Sequence, residues 1–251
     1  MKLMPAVFHS LPRATKMLLS AMLAAYLLSF FAGDWLINNL ALTPADITER
    51  YYLWETVTYI FLHAGFWHLA FNALMLWIFG AMMENVWGAR KFAWYCLVTG
   101  MGAALCQVAA APHSQVPVLG ASGVVFGLLA AFAFEFPEST VYMYFVFPMK
   151  SKHMVLLLAV LELAASFNPQ QSAIANFAHL GGMITGYFYL SWQERRAAQP
   201  YNEEPGETPP KVKKRGSDID RILDKISRYG INSLSENEKE VMERYSKWMK
   251  K

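Results

Sequence analysis

WHLAFNALMLWIFGAMM, residues 67–83, decides how this chain is read, because it carries no Asp, Glu, Lys or Arg and yet holds a histidine and an asparagine near its start. A helix crossing a hydrocarbon core needs roughly 20 mainly apolar residues at about 1.5 Å of rise each, somewhat fewer when polar caps flank it. The segment fits that length. His68 and Asn72 are four apart and share one helical face. Polar groups in a bilayer cost several kcal/mol each unless they pair or face a cavity, so this face calls for an explanation.

Working outward, the upstream run MLLSAMLAAYLLSFFAG (17–33) follows Lys2, Arg13 and Lys16 and has the basic and apolar regions of an export signal. It is long for a signal and further apolar runs follow, so it is read as a retained first span. Downstream, runs near 93–111, 121–136, 150–166 and 176–192 complete a set of six. The piece VYMYFVF (141–147) reads either as interfacial or as the upstream part of span five. Composition agrees: 55% of the 251 residues are hydrophobic and 16% charged, richer in apolar and poorer in charged residues than a soluble domain. The net charge of +3, with basic residues scattered over segment ends, excludes a nucleic-acid surface. Cys96 and Cys106 lie ten apart in one apolar helix, where they can neither meet as a disulfide nor form a metal site.

Short cytoplasmic loops of membrane proteins are enriched in Lys and Arg. With the N-terminus inside, the inner segments carry Lys2, Arg13 and Lys16, then Arg90 and Lys91, then Lys150 and Lys152, then Arg195 and Arg196; the outer ones carry only Arg50. The expectation is six spans with both termini in the cytoplasm. The long outer loop, roughly 34–66, has Trp35, Tyr51, Tyr52 and Trp54 to place in the headgroup layer. After Arg196, QPYNEEPGETPPKVKKRG is too rich in Pro, Gly and charge to order itself. Beyond it, Ile222, Leu223 and Ile226 mark one helix face, and Ser235 with Glu238 has the spacing of a capping box. The expected organisation is a cytosolic N-terminus (1–16), a membrane domain (17–196), a linker (197–216) and a small cytosolic helical hairpin (217–251) that packs or docks a partner. The fold class is all-α.

Three polar features gather at span starts. Gly120-Ala121-Ser122-Gly123 opens span four, where a serine between small residues can expose its hydroxyl beside unpaired backbone N–H groups, the parts of a nucleophile and an oxyanion site. Taken alone, the same glycines with Gly127 make an ordinary packing face. His179, in NFAHLGG, opens span six, and Gly182 and Gly186 allow another helix close. If that helix is span four, imidazole meets hydroxyl, and a serine–histidine pair without an acidic third member suffices for general-base activation. Alone, a membrane histidine such as His179 is more often structural. His68 and Asn72, at the start of span two, could donate N–H groups to an oxyanion, or simply bond another helix; with no acidic partner nearby they make a poor metal site. His63 could brace the same region. The topology places all three features in one outer layer, a coincidence that packing alone does not explain.

These residues, the HxxxN of His68 and Asn72, the GASG around Ser122 and the AHLGG around His179, resemble the rhomboid proteases in order and spacing over about 14–192. Thr58 to His63, and Glu84 with Gly88, are similar to further positions of that family, and the tail resembles short helical domains of some bacterial members. The resemblance implies a six-helix rhomboid-like bundle and an intramembrane serine endopeptidase in a bacterial cytoplasmic membrane. It would cut transmembrane segments of single-span membrane proteins near the outer face, without metal or other cofactor. Ser122 would be the nucleophile and His179 the base. His68, Asn72, Gly120 and the Ser122 N–H would belong to the oxyanion region. Phe126 stands where relatives often stack a tyrosine on the imidazole, and Glu55 follows Trp54 where many have arginine. A mobile cap is expected in the loop 167–175.

Two other classes fit the sequence less well. A catalytically inactive rhomboid-like protein that binds transmembrane helices would ordinarily lack the serine or histidine present here. A transporter would need charged groups across the midplane; the nearest, Glu135 and Glu162, lie close to span ends, and no inverted repeat is visible. A glycine stripe serves internal packing and dimerisation equally, so no oligomeric state is assigned.

Overall fold

The computed structural model describes residues 11–143, 146–166 and 174–198, and in the C-terminal part residues 222, 225–226, 233–239 and 241–242. The chain divides into two units, Met1–Gln199 and Pro200–Lys251.

In the first unit the helices are α1 (Arg13–Leu40), α2 (Pro44–Arg50), α3 (Glu55–Thr58), α4 (Phe66–Met75), α5 (Ala81–Trp87), α6 (Ala89–Ala110), α7 (Ser122–Glu135), α8 (Ser151–Ser166) and α9 (Ile174–Ala198). A widened turn over Leu76–Gly80 joins α4 to α5 into one span, Phe66–Trp87, and buries Leu76, Phe79 and Gly80. Extra-residue turns of this sort often sit beside functional positions; here it begins one turn after Asn72. Each of the six expected runs therefore falls on a helix. By length and apolarity α1, Phe66–Trp87 and α6 suffice to cross a bilayer, while α7 has 14 residues and spans about 21 Å. Leu27, Phe30, Phe31, Trp94, Leu156, Val160 and Phe188 are exposed, as side chains facing acyl chains are. The chain is a multi-pass, mainly helical membrane protein.

The stretch 141–147 resolves the alternative left open above. Thr140–Met143 (β1) and Phe147–Lys150 (β2) form an antiparallel hairpin between α7 and α8, pairing Val141 with Met149, and are no part of a span. Glu138 anchors its base through Lys150 and Lys152.

Two devices fix the bundle. Glu84, buried on α5, accepts from the backbone N–H groups of Ala14 (2.9 Å) and Thr15 (2.7 Å) and from the Thr15 hydroxyl (2.8 Å). It thereby satisfies first-turn amides of α1, which have no acceptor within their own helix. At the centre, α6, α7 and α9 pack against one another at backbone distance. A β-carbon at Gly123 would come 2.6 Å from Cβ of Ala103, one at Gly127 2.8 Å from Thr99, and one at Gly182 would collide with the carbonyl of Gly123. Tyr95 donates to Gly127 O (2.7 Å) and Tyr59 to Gly100 O (2.9 Å), giving each buried hydroxyl an acceptor.

The loop between α1 and α4 is stitched to the segment leading into α7. Leu42 and Val118 exchange both backbone hydrogen bonds (2.9 and 2.8 Å), and Gly120 N–H donates to Tyr59 O (2.9 Å). Glu55, in this loop, is fully buried; one oxygen accepts from Thr43 N–H at 2.9 Å and the other has no hydrogen-bond partner among the described residues. The proposed cap, 167–175, falls largely on residues 167–173, which lie outside the described residues, as do 199–221 of the linker and tail.

In the second unit, Ser235 and Glu238 form the expected capping box: Glu238 N–H donates to Ser235 Oγ (3.3 Å), and Ser235 N–H to Glu238 Oε2 (2.8 Å). Lys225 reaches the same carboxylate at 2.8 Å, and Ile222 and Leu234 are buried. Lys225 and the Ser235 donors hold Glu238 down to about 2.

Candidate active site

Ser122 is the first residue of α7, a position set by what precedes it. Gly120 has φ +125°, a conformation that an L-residue rarely adopts, and it turns the stitched loop sharply into the helix. The turn leaves the Ser122 hydroxyl at the helix mouth, beside backbone N–H groups that a first turn leaves without intrahelical acceptors.

His179 stands in the second turn of α9. Because Gly182 packs on the Gly123 backbone, the two helices meet closely enough for His179 Nε2 to lie 2.8 Å from Ser122 Oγ. The imidazole is stacked on Phe126, with centroids 4.4 Å apart and planes at 12°. A hydroxyl hydrogen-bonded to an imidazole of fixed orientation is the arrangement needed to make serine a nucleophile.

His68 approaches from α4. Its ring is so close to Gly120 that a β-carbon there would sit 2.7 Å from Nε2, so the glycine serves both the turn and the approach of the imidazole. His63 lies edge-on to His68 at 5.1 Å. Burial, reinforced by His68, pushes the His63 imidazole down to about 4 and so favours its neutral form. Asn72 is buried and donates one N–H to His68 O (2.9 Å) in its own helix. The structure thus brings Ser122, His179, His68 and Gly120 to one place near the N-terminal ends of α4, α7 and α9, while Asn72 lies one turn further along α4 with half of its donor capacity committed.

One residue of the site escaped the sequence reading as a partner of the histidine. Glu162 of α8, weighed above only as a midplane charge, has Oε2 3.0 Å from His179 Nδ1. Its signal was a lone carboxyl in the run VLLLAVLELAA, one turn from the end of a span. Among the described residues no group of three or more His, Cys, Asp or Glu is disposed to hold a metal ion.

Comparison with known proteins adds two family matches. The model of the rhomboid domain matches residues 50–193, more than half of the chain, and that of a family of unknown function (DUF6576) matches residues 210–248. The chain is 31% identical over 141 residues to the rhomboid protease GluP of Bacillus subtilis, covering 54% of this chain and 25% of that protein. It is 33% identical over 144 residues to the mitochondrial rhomboid protein 1 of Saccharomyces cerevisiae, covering 55% of this chain and 41% of the relative. A putative rhomboid protease of B. subtilis, YdcA, is 26% identical over 196 residues, covering 76% and 85%. The chain thus spans about a quarter and two fifths of the first two relatives.

Proposed function

This chain belongs to the rhomboid family, and on that premise we propose that it is an intramembrane serine endopeptidase cutting transmembrane segments of membrane proteins near the outer face of a bacterial cytoplasmic membrane. The observation that carries the reading is the 2.8 Å contact between Ser122 Oγ and His179 Nε2 inside a helical bundle.

Ser122 Oγ attacks the scissile carbonyl as its proton passes to His179 Nε2, giving a tetrahedral intermediate with a negatively charged oxygen. That oxygen is met by the His68 ring, the free N–H of Asn72 and the Ser122 backbone N–H, in surroundings where donors count for far more than in water. The imidazolium returns its proton to the departing amine, leaving an acyl-serine. Water, deprotonated by His179, then releases the carboxylate product and restores Ser122. The substrate helix must unwind locally before its carbonyl can be reached, which favours Gly, Ser or Pro around the cut and single-span proteins as substrates. Residues 1–16 and the part beyond 196 belong to the cytoplasm on this reading, with 197–216 as tether and 217–251 as a helical module.

Detergent-purified protein incubated with a fluorogenic transmembrane peptide and a fluorophosphonate probe tests the proposal. Labelling at Ser122, with labelling and cleavage both abolished in Ser122→Ala and cleavage abolished in His179→Ala, is the expected result. Folded protein that neither labels nor cleaves would transfer the assignment to a non-catalytic helix-binding member of the family.

A further inference from the structure

We propose that Glu162 is a positioning residue for His179, so that the site works as a Ser122–His179–Glu162 set instead of a pair. The inference deepens the protease reading above and rests on it.

A carboxyl side chain in a span is expensive unless it finds a partner. On α8, Val160, Leu161 and Leu163 around it are exposed to the lipid side, while the Glu162 side chain is turned inward and only 17% exposed. It ends 3.0 Å from Nδ1 of His179, whose side chain is 16% exposed. Both Glu162 Oε2 and His179 Nδ1 are buried and neither has a hydrogen-bond partner among the described residues. The approach is close but oblique, short of a linear hydrogen bond. Phe126 holds the ring plane, and the terminal torsion of Glu162, broad as for all such sp² ends, leaves its carboxylate free to adjust toward Nδ1.

The consequence is chemical. Serine activation needs His179 with its proton on Nδ1 and its lone pair on Nε2 facing Ser122. A carboxylate accepting from Nδ1–H selects that tautomer and stabilises the imidazolium formed when the Ser122 proton arrives at Nε2. Glu162 takes no proton itself; the proton still goes to the leaving amine. Of the other polar groups near the ring, Ser122 lies on the Nε2 side and Cys106 of α6 packs against Gly181, and among the described residues none forms a hydrogen bond with Nδ1.

The test compares wild type with Glu162→Gln, Glu162→Ala and Glu162→Asp in detergent. The expected result is a fall of about tenfold or more in kcat and in the rate of fluorophosphonate labelling for Glu162→Ala, with KM within about twofold, and partial recovery in Glu162→Asp. Nitrogen-15 NMR of labelled histidine reads the tautomer without needing turnover: His179 should be the Nδ1–H form in wild type and move toward the Nε2–H form in Glu162→Ala. Glu162→Gln, nearly isosteric, separates loss of charge from loss of fold. Wild-type labelling with an unchanged tautomer and unchanged kcat in Glu162→Ala overturns the positioning role while leaving the protease reading intact. A tautomer that moves in a protein that never labels or cleaves upholds the pair and removes the protease reading.

Discussion

The ring of Phe126 lies flat on the imidazole of His179, 4.4 Å between centroids and 12° from parallel. Phe126 is one helical turn beyond Ser122, so the helix that carries Ser122 also sets the plane of the imidazole hydrogen-bonded to it. Aromatic stacking contributes about 0.5–1.5 kcal/mol beyond burial. Phe126→Ala should therefore slow fluorophosphonate labelling of Ser122 roughly three- to tenfold with little change in thermal midpoint, whereas Phe126→Tyr, which keeps the face, should label within about twofold of wild type. Equal rates in wild type and Phe126→Ala would show that the ring is oriented by other contacts.

The distance between α7 and α9 is set by backbone, and the site depends on it. A β-carbon on Gly182 would run into the Gly123 carbonyl, an atom with no torsion to yield. Gly182→Val must part the helices that carry Ser122 and His179, and overpacking at such contacts costs about 1–3 kcal/mol or more. The expected outcome is a lowered thermal midpoint and loss of labelling together. Gly33→Ala in α1, where nothing lies within 4 Å of the new β-carbon, should leave both unchanged.

Glu55 provides a pH signature outside the spans. Burial raises its carboxyl to about 7, against the opposing pull of the Thr43 N–H. A raised acid binds its proton more tightly folded than unfolded, so stability is full below the ordinary carboxylate range and falls as pH rises from about 4.5 towards 7, then levels. The thermal midpoint of the wild type should decline over that window, and Glu55→Gln, uncharged throughout, should flatten the decline. A profile identical in the two proteins would place the carboxyl in contact with water.

The legible parts were those where one residue type has one reason to be in a membrane. Apolar runs located the helices, and spans two, four and six, starting on the same side, put His68, Ser122 and His179 at one depth before any contact was known. Gly123, Gly127, Gly182 and Gly186 announced the close helices. What could not be read was rotation: sequence gives the depth of Glu162 but not which way α8 turns it, and a charge at a span end reads as a snorkelling residue until a neighbouring helix supplies Nδ1. The hairpin at 140–150 was ambiguous because seven apolar residues suit a strand, an interface or a helix start equally. The widened turn at Leu76–Gly80 leaves the hydrophobic pattern of a span unchanged, so nothing in the composition marks it.

His68 and Asn72 looked equivalent as sequence, yet the structure separates their tasks. The His68 ring lies on Gly120 at the entrance to α7, whereas the Asn72 amide is buried and donates backward to the His68 carbonyl. Removing one donor to a developing oxyanion typically costs 10²–10³ in kcat. His68→Ala should show about that loss with the thermal midpoint little altered. Asn72→Ala should lower the thermal midpoint as well, because it empties a buried position and removes a side-chain hydrogen bond to the His68 carbonyl. Kinetics and melting measured on both variants decide the matter: a pure kcat effect at Asn72 would make it an oxyanion donor alone, and a pure stability effect would assign the oxyanion to His68 and the Ser122 N–H.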